Sequence, residues 1–124
     1  ESLAGLFVME TFVLDPDLFT TYIAIDPSLW WNNEGLLKSA EPRLAARRQS
    51  DSSVHRKAVL LASSNEPSMT DLTTRAVGVF ESQQAHRYVF LHLPFSAESH
   101  ATIYHPAALA AFRTLFAPPP EVTK

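Results

Sequence analysis

The chain contains a serine, then carboxylates, then a histidine, in an order compatible with catalysis of acyl transfer. The serine is at position 2. Ser2 stands in the segment Glu1-Ser2-Leu3-Ala4-Gly5, directly before a predicted helix. A serine followed by small residues is typical of a nucleophile held on a tight turn, for which the usual pattern is G-x-S-x-G. Here Ala4 takes the place of the second glycine and Gly5 follows it. The simpler interpretation is a solvated serine or a helix N-cap.

A serine hydroxyl needs a base, and His100 is the histidine best placed to act as one. It lies in the loop between the third predicted strand and the last predicted helix, although a surface or capping role is an equal alternative. A further group must hold the imidazole in the right tautomer. Glu66 is the first carboxylate after the second predicted strand and is the leading candidate. Asp71, Asp26 and a Ser-His dyad without an acid remain alternatives.

The elements that must position these residues alternate along the chain. The apolar patterns predict helices over Leu3–Leu14, Glu34–Arg47 (interrupted near Pro42), Met69–Gln83 and Tyr104–Phe116, and strands over Thr21–Ile25, Lys57–Ala62 and Arg87–Leu93. Such alternation implies βαβ units and an α/β fold in which helices cover both faces of a parallel sheet. We therefore predict three parallel strands in a three-layer arrangement.

The loops that follow the predicted strands should meet at one edge of this sheet, where sites form in open α/β folds. Glu66 and His100 lie in two of these loops, and Trp30 and Trp31 lie in a third. Adjacent exposed aromatic residues often line a pocket, because they offer a large apolar area together with a polar N–H. The alternative is that one of the two tryptophans packs in the core.

The composition is that of one globular domain and argues against several classes of function. The chain has 124 residues, of which 46% are hydrophobic, and this is enough to bury a core. A net charge of −3 gives no electrostatic case for binding nucleic acid. There is no cysteine and no HExxH spacing, so we expect neither a metal nor another cofactor. No apolar run approaches the roughly 18 residues of a membrane span, and the compartment stays open.

Several runs of the sequence resemble one known family. They are Ser2–Phe7, Pro16–Phe19 and Tyr22–Trp31, and near the end Glu98–Thr102, Pro106–Leu109 and Phe112–Phe116. Together they resemble the esterase family of α/β-hydrolases that includes esterase D, feruloyl esterases and siderophore trilactone esterases. The resemblance covers essentially the whole chain but only the second, C-terminal half of the family's domain. It implies that residues 1–117 belong to one α/β-hydrolase domain, entered at the nucleophile turn, and that residues 118–124 form a loose proline-rich tail.

The resemblance implies a serine ester hydrolase that works through an acyl-enzyme. Ser2 would be the nucleophile, His100 the general base and Glu66 the acid, and the siderophore branch of the family is known for weak or absent acids. The backbone N–H of Leu3, directly after the nucleophile, would be one oxyanion donor. The substrate would be a small-molecule ester, with siderophore lactones, feruloyl esters and short acyl esters all open.

Two other functions are compatible with the same residues. The chain could be a non-catalytic fragment or binding module of a hydrolase fold, whose apolar first helix would then favour homo-oligomers. Alternatively, the same serine and histidine could serve an acyltransferase or a peptidase, since pocket geometry decides among these reactions.

Overall fold

The predicted alternation of helices and strands is confirmed by the structure. A computed structural model describes residues 1–47, 56–85, 87–118 and 120–121. In chain order the elements are α1 (Ser2–Leu14), β1 (Thr21–Ile25), α2 (Trp31–Arg47), β2 (Lys57–Ser63), a 3-10 turn (Pro67–Met69), α3 (Thr70–Gln83), β3 (Tyr88–Pro94) and α4 (Tyr104–Leu115). The strands form a parallel sheet in the order β1-β2-β3.

The core lies on both faces of this sheet, because side chains alternate along each strand. Val59 and Leu61 of β2 face a large cluster that contains buried residues of α1, α2 and α3. Leu60 and Ala62 face the opposite side, where they join a smaller cluster with Ile103 and two alanines of α4. The chain therefore forms three layers, with α1 to α3 on one face and α4 on the other.

Helix α2 is irregular near its start, where the predicted helix begins only at Glu34, and it is not interrupted where prediction expected it. The backbone at Asn32, Asn33 and Glu34 is left-handed, with φ values of 50°, 52° and 60°. Asparagine tolerates this region better than most residues, and the break therefore falls there. The interruption expected near Pro42 is absent, and the helix continues through this proline on its exposed side. Water can hydrate the carbonyl group that a proline leaves without a helical partner, which makes an exposed position tolerable.

The start of α1 lies unusually close to β1, and Gly5 makes this approach possible. A β-carbon built on Gly5 would lie 2.9 Å from the backbone oxygen of Ile25 and 3.3 Å from the α-carbon of Pro27. Backbone atoms cannot move aside as a flexible side chain could. Helix–strand packing therefore requires a glycine at position 5, three residues after Ser2. This close packing fixes the position of Ser2, at the start of α1, relative to the end of β1.

We expect Gly5→Ala to lower the free energy of unfolding by about 1–3 kcal/mol, since overpacking against fixed backbone costs this much. Gly78→Ala is the matched control, because Gly78 is also helical and nothing lies within 4 Å of an added β-carbon there. That change should stabilise the protein by about 0.5–1 kcal/mol through helix propensity. Urea unfolding midpoints measure both effects. Equal stabilisation by the two changes would contradict the close approach.

Candidate functional site

Ser2 lies on a strained turn at the start of α1. Its φ of 57° is in the left-handed region, which is unusual for a residue other than glycine and is often found at functional sites. The turn is joined to the chain just after β1, because Ser2 pairs with Pro27 in a parallel bridge and its carbonyl accepts the N–H of Ser28 at 3.1 Å. Ser2 therefore stands at the carboxyl-end edge of the sheet.

A buried carboxylate at the same edge contacts the predicted base. Asp26 directly follows β1, is 1% exposed, and has a left-handed φ of 44°. The distance from its Oδ2 to Nδ1 of His100 is 2.6 Å, which makes Nδ1 the donor when the carboxylate is ionised. This contact joins the loop after β1 to the loop after β3. It leaves Nε2 of His100 as the nitrogen that can act as a base.

The loop after β2 holds this carboxylate in place. The backbone N–H of Ser64 donates to Oδ1 of Asp26 at 3.0 Å, and the Ser64 hydroxyl donates to Oδ2 at 2.8 Å. The backbone N–H of Asp26 donates to the carbonyl of Ala62 at 2.8 Å. A charged group is buried at tolerable cost only when it is paired and hydrogen-bonded. Together with His100, Ser64 satisfies both oxygens of Asp26 and fixes their orientation.

Glu66, the acid expected from sequence, does not make this contact. It lines a cavity at this edge of the sheet together with Ser2 and His100, but no hydrogen bond or ion pair of its carboxylate is found within the described part of the chain. The loop after β2 supplies Ser64 as a donor, and the carboxylate beside His100 comes from the loop after β1. Asp71, the other alternative, is 85% exposed on α3 and pairs with Arg75 at 3.8 Å. Sequence alone offers Asp26 as an alternative because it follows a buried strand directly.

A cavity of about 300 Å³ opens where these loops meet, and it is lined by Ser2, Ser28, Trp30, Glu66, Ser68, Met69 and His100. The Ser2 hydroxyl lies 3.0 Å from the hydroxyl of Ser28, and no hydrogen bond between Ser2 and His100 is found among the described residues. Catalytic hydrogen bonds are often loose without substrate and tighten in the reacting complex. Ser28 is 2% exposed, and sequence reasoning missed it because a serine after proline has no signal of its own.

The two tryptophans take different places. Trp30 lines the cavity, whereas Trp31 packs against Trp30 edge to face, with ring centres 5.8 Å apart and planes at 66°. About half of each side chain is exposed, so neither is a core residue.

Leu3 carries the backbone N–H expected to bind an oxyanion. The first helical hydrogen bond runs from the N–H of Gly5 to the carbonyl of Glu1. The N–H of Leu3 therefore lies in the first turn of α1, where backbone donors have no helical partner. A helix N-terminus also favours developing negative charge.

Among the described residues, the remaining ionisable side chains do not form a second candidate active site or metal site. Nε2 of His92 lies 2.8 Å from the Ser63 hydroxyl, and burial lowers the pKa of His92, which fits a neutral structural histidine. No group of three or more metal-ligating side chains is found in this part of the chain. None of the helices described is both long and apolar enough to cross a membrane.

Comparison with known proteins supports the resemblance from sequence. No family model matches the chain. Ferri-bacillibactin esterase BesA from Bacillus subtilis is 36% identical over 61 residues, which are 49% of this chain and 20% of that protein. The siderophore enterobactin esterase of Emericella nidulans is 41% identical over 39 residues, or 32% of this chain and 13% of that protein. Over these segments the chain is similar in sequence to two proteins named as esterases.

Solved structures share the fold over almost all of the chain. An IroE-like serine hydrolase from Shewanella oneidensis superposes with a TM-score of 0.79 at 24% identity, covering 94% of this chain and 38% of that one. Siderophore hydrolase EstB from Aspergillus nidulans gives a TM-score of 0.74 at 16% identity, covering 92% of this chain and 45% of that one. The predicted α/β-hydrolase fold is thus confirmed. The chain spans less than half the length of these neighbours, and a fifth or less of each curated relative is matched.

Proposed function

We propose that this chain carries the nucleophile, acid and base of a serine ester hydrolase, with Ser2, Asp26 and His100 in these roles. The observation that carries the proposal is the 2.6 Å contact between the buried Asp26 carboxylate and Nδ1 of His100. It lies beside a cavity that Ser2 and His100 both line. The names of the relatives support ester hydrolysis as the reaction class.

The first half of the proposed reaction forms an acyl-enzyme. In the reacting complex the Ser2 hydroxyl would leave Ser28 and donate to Nε2 of His100, which lines the same cavity. Nε2 takes the hydroxyl proton while Oγ attacks the ester carbonyl, and Asp26 stabilises the imidazolium that forms. When the tetrahedral intermediate collapses, the carbon–oxygen bond of the ester breaks and His100 returns the proton to the leaving alcohol.

The second half repeats this chemistry with water. Water loses a proton to His100 and attacks the acyl group, and Ser2 leaves with that proton as the carboxylic acid is released. In both halves the N–H of Leu3 would donate to the negatively charged oxygen. One such donor is worth about 10²–10³ in rate.

Asp26 is a better acid in this scheme than Glu66. Its side chain is buried and held by Ser64, so it does not have to be ordered at the moment of reaction. Glu66 is only partly buried, and among the described residues its carboxylate has no hydrogen bond or ion pair that would hold it against His100. A positioned acid keeps the imidazole in the productive tautomer throughout the cycle.

The substrate class we propose is a small-molecule ester. Two relatives are named for siderophores, so a siderophore lactone belongs in the first panel of substrates, beside feruloyl and short acyl esters. Rates measured on this panel decide among the three classes of ester, because the triad would be the same for all of them.

A fluorophosphonate probe tests the nucleophile. We expect covalent labelling of the full-length protein at Ser2, located by mass spectrometry of the labelled peptide. Ser28 is a built-in comparison, because it is 2% exposed and its hydroxyl lies only 3.0 Å from that of Ser2. Labelling at another residue, or none in a protein shown to be folded by circular dichroism, would overturn the assignment.

A further inference from the structure

Glu66 lines the cavity beside Ser2, and the proposed reaction does not use it. Its backbone is well fixed, because its N–H donates to Oγ of Ser64 at 3.3 Å and its carbonyl accepts the N–H of Met69 at 3.0 Å. Pro67 follows it and restricts its backbone to an extended conformation. The carboxylate itself has no hydrogen bond or ion pair among the described residues. A partly buried and unpaired carboxylate at a cavity wall favours a positive partner.

Trp30 gives the cavity a second surface that attracts positively charged groups. Its side chain lines the same cavity and packs edge to face with Trp31. The face of an indole ring attracts cations, and aromatic rings are the usual partners of quaternary ammonium groups. Among the described residues that line this cavity there is no lysine or arginine. The cavity thus combines a carboxylate and an indole with no fixed cation.

We infer that Glu66 and Trp30 form a subsite for a positively charged group of the ester substrate, such as an alkylammonium. This inference rests on the proposed ester hydrolysis and gives it a selectivity: cationic esters are preferred over uncharged ones, and anionic esters are disfavoured. The preference is modest, since Glu66 is partly exposed and water and salt screen its charge. An exposed ion pair and a cation–π contact together correspond to about a tenfold difference.

Matched substrates test this directly. Acetylthiocholine and the uncharged thioester in which carbon replaces its nitrogen have the same acyl group and nearly the same shape. We expect kcat/KM to be about tenfold higher for the cation at low salt, and Glu66→Gln to lower the ratio to about two- to fivefold, which the cation–π contact with Trp30 alone would support. Glu98→Gln is the control, because Glu98 lies on the same edge of the sheet without lining the cavity, and it should leave the ratio unchanged.

Two results would overturn the inference. One is a ratio that Glu66→Gln does not change. The other is an equal loss of kcat for every ester in Glu66→Gln, which would mean that Glu66 acts on His100 and not on substrate.

A binding measurement separates this inference from the proposed function. Tetramethylammonium chloride is titrated while the indole N–H resonance of Trp30 is followed by NMR, with sodium chloride as the control salt. Saturable shifts of this resonance, if they are weaker in Glu66→Gln, support the subsite even if no ester is hydrolysed. If esters are hydrolysed without a charge preference and no such shifts are seen, the proposed esterase function is retained and the subsite is rejected.

Discussion

Asp26→Asn will lower kcat for ester hydrolysis by about 10⁴-fold, with a much smaller change in KM; this is the size expected when a triad loses its acid. Asparagine has nearly the same shape, so the hydrogen bond from the Ser64 N–H can persist. Its NH₂ group, however, can donate to Nδ1 of His100 and so favour the tautomer with the proton on Nε2. That tautomer cannot accept a proton from Ser2. Initial rates on a chromogenic short acyl ester measure the effect.

Asp71→Asn is the matched control for this prediction, because the same chemical change is made on an exposed face of α3. It should leave kcat within about twofold of the wild type, as expected for a surface change. If Asp26→Asn retained wild-type kcat and Glu66→Gln lost three orders of magnitude or more, the acid would be Glu66.

Ser2→Ala is expected to lower kcat by at least about 10⁴-fold, since no acyl-enzyme can form without the hydroxyl. The residual rate would come from Leu3 N–H and from binding alone. The same variant, purified in the same way, also measures contaminating esterase activity. Loss of the burst of alcohol that precedes steady turnover would locate the effect in the acylation step.

Ser28→Ala separates the two neighbouring hydroxyls. The Ser28 side chain is almost fully buried beside Ser2, so it lacks the access that a nucleophile requires. Its removal should cost far less than that of Ser2. If Ser28→Ala abolished turnover while Ser2→Ala kept it, the nucleophile would be Ser28 and the proposed mechanism would be wrong.

Much of the fold could be predicted from local patterns. The strand over Thr21–Ile25 has the predicted bounds, since an apolar and partly β-branched run is closed by Asp26-Pro27. The two faces of the sheet follow from the alternation of side chains in β2. The exception is α2, where the left-handed turn at residues 32–34 arises after the tryptophans and not at Pro42.

The choice of acid could not be made in this way. Glu66 and Asp26 both follow strands that end at the same edge, and only the path of each loop decides which side chain reaches His100. Asp26 does so through a left-handed backbone and two donors from Ser64, and neither has a signature in sequence. Likewise, nothing in the adjacent pair Trp30-Trp31 says which ring lines the cavity.

The spacing of the site residues along the chain also has a consequence for synthesis. Ser2 and Ser28 are 26 positions apart and belong to one helix–strand unit, whereas Asp26 and His100 are separated by 74 positions. At about 5–20 residues per second, the ribosome needs roughly 4–15 s to make that stretch. During this interval the nascent chain already contains Ser2 and Asp26 but not His100, the imidazole proposed to activate the serine. A nascent chain halted in this interval would be inert toward esters, so hydrolysis would begin only after the last loop of the sheet has emerged.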